Sequence, residues 1–142
     1  MKFNKLIPEL TVSNINKSLK FYTKIIGFKI EYERKEQKFA FLSFQGSQIM
    51  IEEAGASSWT TAELKHPFGR GTHLQIEVND IGPILKSLKK NKISLFLDQH
   101  EKWYRKDKKL LGNKQFLVQD PDGYLLRFFE RIGKKKVNSF LV

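Results

Sequence analysis

The residue best placed for binding chemistry is Arg127, which lies inside an apolar run from Leu125 to Phe129. A guanidinium among apolar side chains must be paired with a carboxylate or with an anionic ligand, because its charge is costly to bury alone. Two interpretations stay open. Arg127 either binds an anionic ligand or forms an internal ion pair with one of three glutamates, Glu9, Glu52 or Glu77.

A second candidate for ligand contact is the aromatic and basic cluster Trp103-Tyr104-Arg105. Flat rings can stack on a planar ligand, and Arg105 could hold an anionic group. Ordinary core or interface packing would explain the same residues equally well. On the strand that follows, only one of Gln115 and Phe116 can face a ligand, because neighbours on a strand point to opposite faces. We assign the ligand contact to Phe116.

Other catalytic chemistry is sparse. The chain has no cysteine, which excludes disulfides, thiolate zinc sites and cysteine nucleophiles. It contains no Gly-rich phosphate loop and no Gly-x-Ser-x-Gly elbow. Of the three histidines, His66 and His100 are expected to face solvent, and His73 is expected to line a cavity or the core. We therefore predict no catalytic residue.

The elements that position these residues follow one order twice. In the first half, a strand at 7–12 precedes a helix that is capped by Asn14 and ends at Gly27. Strands follow at 28–34, 39–44 and 48–53, which gives βαβββ. A linker at 54–70 carries Trp59 and Phe68, whose rings could close over a ligand or simply anchor the loop.

The second half repeats the order with a strand at 72–78 and a helix capped by Asp80, with Pro83 in its first turn. Strands are predicted at 93–97, 115–119 and 124–130, and the turn Asp120-Pro121-Asp122-Gly123 joins the last two. The sequence thus predicts an α+β fold of two βαβββ modules, about 5–54 and 71–131, in one domain spanning 1–142.

The charge balance is strongly basic, with 26 Lys and Arg against 15 Asp and Glu, a net charge of +11. The basic residues are scattered, with the densest runs at 102–109 and 134–136, and we interpret them as a solvated surface. A nucleic acid partner is not expected, since it would require both runs to share one face. The chain has no apolar run of about 18 residues and no hydrophobic N-terminal signal, so we expect a cytoplasmic protein without a membrane partner.

Two motifs at opposite ends of the chain carry a family resemblance. One is Ile7-Pro8-Glu9-Leu10-Thr11-Val12-Ser13-Asn14 with the helix after it, and the other is the strand–turn–strand segment 112–128. Together they resemble the vicinal oxygen chelate superfamily and, within it, the glyoxalase/bleomycin resistance branch. This resemblance implies that the modules pair into a cupped, mixed β-sheet with helices outside, around a ligand cavity. The superfamily holds metal enzymes and also metal-free proteins that sequester a drug.

The metal-ligand positions implied by this resemblance are mostly replaced. They lie seven residues before each helix cap and four residues beyond each turn glycine, and here they hold Ile7, Met50, His73 and Arg127. His73 alone could ligate a hard or borderline divalent ion, and Arg127 puts positive charge where a carboxylate should stand. We therefore predict no cofactor. If one divalent metal ion does bind, His73 and Glu9 are its expected ligands.

The predicted function is metal-independent binding of a small molecule, as in the bleomycin resistance proteins, by sequestering a drug or toxic metabolite in a groove of a homodimer. Antibiotic resistance is the role this implies. Because bleomycin is cationic and this chain is basic, we expect an anionic or neutral aromatic ligand. The predicted ligand contacts are His73, Arg127, Trp103, Tyr104, Arg105, Trp59, Phe116 and Glu52. The alternative is a metal-dependent glyoxalase, dioxygenase or thiol transferase.

Overall fold

Residues 1–137 are described by a computed structural model of the chain, and they form two four-stranded sheets. Unit 1 comprises Met1–Thr72 together with Asp120–Tyr124, and unit 2 comprises His73–Gln119 and the residues from Leu125 onward. The last residues of the predicted domain, 138–142, lie outside the described residues. None of the helices in the described part of the chain is long and apolar enough to cross a bilayer.

Unit 1 has the predicted βαβββ order. Its helix α1 begins after Asn14, whose side chain accepts a hydrogen bond from the Lys17 amide at 3.0 Å, and the helix continues as a π-helical segment. Gly27, at φ 118°, ends the segment in a left-handed conformation that favours glycine. The bounds are β1 Glu9–Val12, α1 Ile15–Leu19, π segment Lys20–Ile26, β2 Lys29–Arg34, a 3-10 turn Lys35–Gln37, β3 Phe39–Phe44 and β4 Ser47–Glu53.

The sheet of unit 1 has strand order β1-β4-β3-β2, with β1 parallel to β4 and the other pairs antiparallel. One sheet face is aliphatic and fully buried, formed by Leu10, Val12, Ala40, Leu42, Ile49 and Ile51. Strand alternation places the rings of Tyr32, Phe39 and Phe41 on the opposite face. Phe41 stacks on Tyr32 with centroids 5.2 Å apart and is 1% exposed. The aliphatic face is therefore buried, and aromatic rings pack on part of the opposite face.

Unit 2 repeats the order with β5 His73–Glu77, α2 Gly82–Lys90, β6 Leu97–Lys106, β7 Lys109–Gln119 and β8 Leu125–Lys136. Its strand order is β5-β8-β7-β6, with β5 parallel to β8. Asp80 accepts a hydrogen bond from the Gly82 amide at 2.8 Å, and Pro83 lies in the first turn of α2 as predicted. The α+β fold of two βαβββ modules is thus confirmed.

The prediction for the last three strands is partly wrong. No strand covers 93–96 in the described residues, and β6 instead occupies Leu97–Lys106, which overlaps the predicted strand only at residue 97. Strands β7 and β8 are also longer than predicted and, with β6, form a three-stranded ribbon. Much of β6 is polar and exposed on both faces, so the apolar alternation that marks a strand is missing.

The turn between β7 and β8 belongs to unit 1. Tyr22 donates a hydrogen bond of 2.7 Å to Asp120, whose second carboxylate oxygen accepts from the amides of Asp122 and Tyr124. Gly123, at φ +92°, leaves no room for a side chain, since a Cβ there would lie 2.5 Å from Pro67. Burial raises the pKa of Asp120 to about 6, against the opposing effect of its three hydrogen bonds. The turn motif therefore has a structural role.

Candidate ligand-binding site

Strand register places Arg127 at the centre of one face of the unit 2 sheet. Arg127 pairs with Gln75 on β5 and with Leu117 on β7, so these three side chains share a face. The next pairs along β7, Gln115 with His100 and Leu111 with Tyr104, continue the same face onto β6. We call Gln75, His100, Tyr104, Gln115 and Arg127 the Arg127 cluster.

The Arg127 guanidinium is bonded only to neutral groups of its own unit. One terminal nitrogen donates to the Tyr104 hydroxyl at 3.3 Å, and the other donates to the Gln75 side-chain oxygen. Its Nε is buried and has no partner among the described residues. Glu77, the predicted ion-pair partner within unit 2, makes no ion pair with Arg127. The positive charge is therefore not neutralised within its unit.

Hydrogen bonds in the rest of the cluster have a defined direction. His100 Nδ1 lies 2.9 Å from the Asp98 carbonyl, which can only accept, so Nδ1 carries the proton. His100 Nε2 then accepts from the Gln115 amide nitrogen at 3.0 Å, and the same nitrogen donates to the Tyr104 hydroxyl at 2.7 Å. The Gln115 oxygen is left buried without a partner among the described residues.

These bonds define what the cluster offers to a ligand. The Tyr104 oxygen accepts from both Gln115 and Arg127, which leaves its own proton free to be donated. Arg127 Nε and the Gln115 oxygen have no partner among the described residues but are buried, so the cluster offers a ligand the Tyr104 hydroxyl and the exposed part of the Arg127 guanidinium. A hydroxyl donor beside a guanidinium suits a carboxylate or phosphate group, and half-burial strengthens such bonds.

The structure separates the predicted aromatic contacts. Tyr104 joins the Arg127 cluster, whereas alternation puts Trp103 and Arg105 on the opposite face. The Trp103 ring lies against Gly112, where a Cβ would approach it to 2.6 Å, and Lys135 Nζ is 3.9 Å from its centroid. Trp103 and Arg105 therefore do not share a surface with Arg127.

The ligand contact assigned to Phe116 is corrected. Phe116 is 0% exposed and stacks on Phe128, with ring centroids 5.6 Å apart. A side chain without exposed surface cannot touch a ligand, and its neighbour Gln115 faces the cluster instead. His73 begins β5 on the cluster's face, two residues before Gln75, and is exposed.

Three members of the cluster were not among the predicted ligand contacts, namely Gln75, His100 and Gln115, the last of which was considered but set aside in favour of Phe116. Gln75 could have been found from His73, because residues two apart on a strand share a face. His100 was expected to face solvent, but it is half-buried and bonded to Gln115. No sequence signal distinguished His100, since the register shift between Leu97 and His100 decides which residue meets Gln115.

Glu52 and Trp59, also predicted to contact a ligand, line a cavity of about 580 Å³ within unit 1. Arg34 covers the ring of Phe39 there, with its guanidinium carbon 3.8 Å from the centroid. The pKa of Glu9 is raised, mainly by burial and then by a hydrogen bond to Glu52 and the charge of Glu52. The charge of Arg34 acts in the opposite direction. Trp59 is 97% exposed at the edge of this cavity. The cavity therefore presents two neighbouring carboxylates.

The residues present do not fit a catalytic metal of the kind the resemblance implies. Within the described residues, no group of three or more His, Asp or Glu side chains is placed to share an ion. Arg127 brings a cation to a position where a ligand is expected, and Met50 offers only a soft thioether. His73 and Glu9, the expected ligands if a metal binds, belong to different units.

Comparison with known proteins identifies the family. The model of the Glyoxalase/Bleomycin resistance protein/Dioxygenase superfamily matches residues 4–128. The chain belongs to this superfamily. TioX from Micromonospora sp. ML1 has a similar solved structure, with a TM-score of 0.70 over 92% of this chain and 100% of that one, and at 16% identity it shows the fold alone.

Curated members of the superfamily are also similar in sequence. The chain is 29% identical over 134 residues to the Bleomycin resistance protein of Geobacillus stearothermophilus, covering 89% of this chain and 96% of that protein. The Bleomycin resistance protein of Staphylococcus aureus matches equally well. The chain is 25% identical over 132 residues to the Lactoylglutathione lyase of Haemophilus influenzae, covering 89% and 91% of the two chains.

Proposed function

We propose that this superfamily member is a small-molecule binding protein that sequesters an anionic or neutral aromatic ligand without a metal, as a cytoplasmic homodimer. The observation that carries the proposal is the half-buried guanidinium of Arg127, which is bonded to neutral Gln75 and Tyr104. A partly desolvated cation whose partners are neutral gains most from an anionic acceptor. Sequestration needs no bond chemistry, which agrees with the absence of a predicted catalytic residue.

The ligand is proposed to differ from the one in the relatives' name. The Bleomycin resistance proteins share 29% of aligned residues with this chain, which leaves ligand contacts free to differ. This chain carries a net charge of +11, which lowers the encounter rate and affinity for a cationic drug. Titration calorimetry with bleomycin is expected to show no binding at physiological salt, and tight binding would contradict the proposed ligand class.

The anion preference is tested with three small probes, benzoate, phenyl phosphate and neutral benzamide, by titration calorimetry. The two anions are expected to bind at least tenfold more tightly than benzamide. Arg127→Gln should remove that difference, because the charge-assisted bonds are lost. Arg131→Gln is the matched control, since Arg131 lies four residues along β8 and donates to Asn113 at 2.9 Å. Equal losses in both variants would contradict a specific role of Arg127.

An enzyme is the second candidate, favoured by the similarity to the Lactoylglutathione lyase of Haemophilus influenzae. Elemental analysis after incubation with zinc, manganese, nickel and ferrous iron separates the candidates. The binding protein is expected to retain less than a tenth of an equivalent after desalting. One retained equivalent that is lost in His73→Ala would favour the enzyme. Light scattering tests the homodimer, and pairing of the modules into one cupped sheet stays a prediction.

A further inference from the structure

The positive charge of the chain is concentrated in one unit. Unit 2 contains fifteen Lys and Arg against six Asp and Glu, a net charge of +9, while unit 1 contains eleven against nine, a net charge of +2. Unit 1 has ion pairs between Lys29 and Glu31 and between Lys38 and Glu53. The described residues of unit 2 contain no such pair within 4.0 Å. The excess charge of unit 2 is thus unpaired within that unit.

The two basic runs that are far apart in sequence meet on one ribbon. The turn at Asp107 and Lys108 joins β6 to β7, and β8 lies along the other side of β7. Lys109 pairs with Lys106 on β6 and with Lys136 on β8. A nucleic acid partner would require the runs 102–109 and 134–136 to share a surface. The pairing of β6, β7 and β8 brings lysines of both runs together within unit 2.

Register also decides which lysines share a face. Tyr104 pairs with Leu111, and Leu111 pairs with Lys134, so Lys134 lies on the Tyr104 face beyond the register shift at Gly112. Alternation adds the remaining members of what we call the basic face, which consists of Lys102, Lys106, Lys109, Lys134 and Lys136. All five are exposed.

The spacing of the basic face suits an extended polyanion. Alternate residues on a strand lie about 6.6–6.8 Å apart, and neighbouring strands lie about 4.8 Å apart. The face also carries a depression of about 460 Å³, lined by Lys106, Lys108, Lys109, Lys134, Leu111 and Asp107. Asp107 is the one acidic side chain in that lining. The depression therefore offers a concentrated positive field to a ligand.

We propose that the basic face binds the phosphate backbone of nucleic acid without sequence preference. Five lysines provide point charges for phosphates but no rigid fork for a base edge. The apolar residues on this part of the face, Tyr104 and Leu111, are half-buried, so it lacks the exposed apolar side chains that insert into a lipid surface. The basic face meets the Arg127 cluster at Tyr104, where Lys102 Nζ lies 5.4 Å from the ring centroid, but the proposed binding uses the lysines and not Arg127.

The test is fluorescence anisotropy of a labelled 20-base-pair duplex of mixed sequence, titrated between 25 and 300 mM salt. The basic-face variant replaces Lys102, Lys106, Lys109 and Lys134 by Gln. It is expected to lose at least tenfold in affinity at 50 mM salt. The salt slope should fall by about 3.6, because each lost phosphate contact removes about 0.9. A scrambled duplex should bind the wild type within twofold.

The control variant removes the same charge elsewhere in unit 2, by replacing Lys86, Lys89, Lys90 and Lys92 with Gln. These lysines lie on α2 and just after it and are exposed. The control should bind within threefold of wild type, as should Arg127→Gln, and equal melting temperatures show that the variants fold.

Several outcomes would overturn the proposal. They are equal losses in both lysine variants, no duplex binding by wild type at 25 mM salt, or binding to phosphatidylserine vesicles with none to the duplex.

Discussion

The two units place different chemistry on the same frame. In each unit, the last strand of the module carries a residue four positions beyond a turn glycine. That residue pairs with the module's first strand on one side and with the preceding antiparallel strand on the other. In unit 1 these residues are Glu9, Met50 and Phe41, and in unit 2 they are Gln75, Arg127 and Leu117. The first set is acidic and apolar, whereas the second places a guanidinium between an amide and a leucine.

The residue pairs two positions further along these strands also differ in chemistry between the units. In unit 1, Arg34 covers the ring of Phe39 beside Glu52. At the corresponding positions of unit 2, His100 and Gln115 are joined by a hydrogen bond beside Phe129. The opposite face is apolar in both units, with Ile51 and Phe128 each 0% exposed at matching positions. One sheet face thus preserves the fold, and the other is free to determine what each unit binds.

The largest expected effect comes from the aromatic packing that distinguishes unit 1. Phe41→Ala should lower the free energy of unfolding by about 3–5 kcal/mol, because a fully buried ring leaves a cavity. Leu117→Ala, at the matching position of unit 2, should cost only about 1–2 kcal/mol, since Leu117 is half-buried. Urea unfolding measures both. Equal costs would mean that the Arg127 cluster is packed as tightly as the aromatic face.

The turns that precede the matched strands also differ. Gln45 and Gly46 form an exposed turn, whereas Asp120 is buried and its pKa is raised to about 6. Because the folded chain binds this proton more tightly than the unfolded chain, the protonated carboxyl group adds to the free energy of unfolding below pH 3.8, its unfolded pKa. This added stability is lost as the pH rises through 6. Asp120→Asn lacks this loss. Relative to wild type, it should therefore gain about 2.4 kcal/mol between pH 4 and 7.

Urea unfolding at both pH values measures this gain. Tyr22→Phe is a useful companion, since it removes the 2.7 Å hydrogen bond but keeps the carboxyl group. It should be destabilised by about 1.5–3 kcal/mol at pH 7 and by less at pH 4, because the lost bond favours the ionised carboxyl group, so its pH dependence should be steeper than that of the wild type. A flat profile for the wild type would contradict the assignment to Asp120.

The fold was largely predictable from sequence because its signals are local. Asn14, Gly27 and Pro83 mark helix ends through their own backbone and side-chain chemistry, and alternation marks the strands that cover a core. The long ribbon was not predictable. Beyond the core, β6 is polar on both faces, and its pairing with Lys109–Gln119 depends on long-range register rather than on pattern.

The candidate site was predictable only for residues with a strong individual signal. Arg127 was recognised because a cation in an apolar run requires a partner, and Tyr104 because it lies in an aromatic and basic cluster. Gln75, His100 and Gln115 are ordinary polar residues that become significant through hydrogen bonds to each other or to these two. Similarly, the convergence of the lysine runs follows from the pairing of β6, β7 and β8, which the sequence did not reveal.

A smaller effect is expected from a substitution that gives unit 2 a carboxylate like those in the unit 1 cavity. Gln115→Glu introduces a carboxylate within hydrogen-bond distance of Tyr104 and His100, beside the Arg127 guanidinium. The new charge should compete with an anionic ligand and weaken phenyl phosphate binding about tenfold, which corresponds to about 1.4 kcal/mol. Calorimetry measures the loss. Unchanged affinity would show that the ligand does not reach the cluster.

The smallest effect tests the acidic pair that has no counterpart in unit 2. Because the pKa of Glu9 is raised, its ionisation opposes folding, and Glu9→Gln should stabilise the chain by less than about 1 kcal/mol at pH 7 and not at all near pH 4. Glu52→Gln removes the same repulsion at pH 7, so the double variant should gain less than the sum of the two single variants. Glu36→Gln is the exposed control. Additive gains would mean that the two carboxylates act independently, and the contrast between the units would then rest on Arg127 alone.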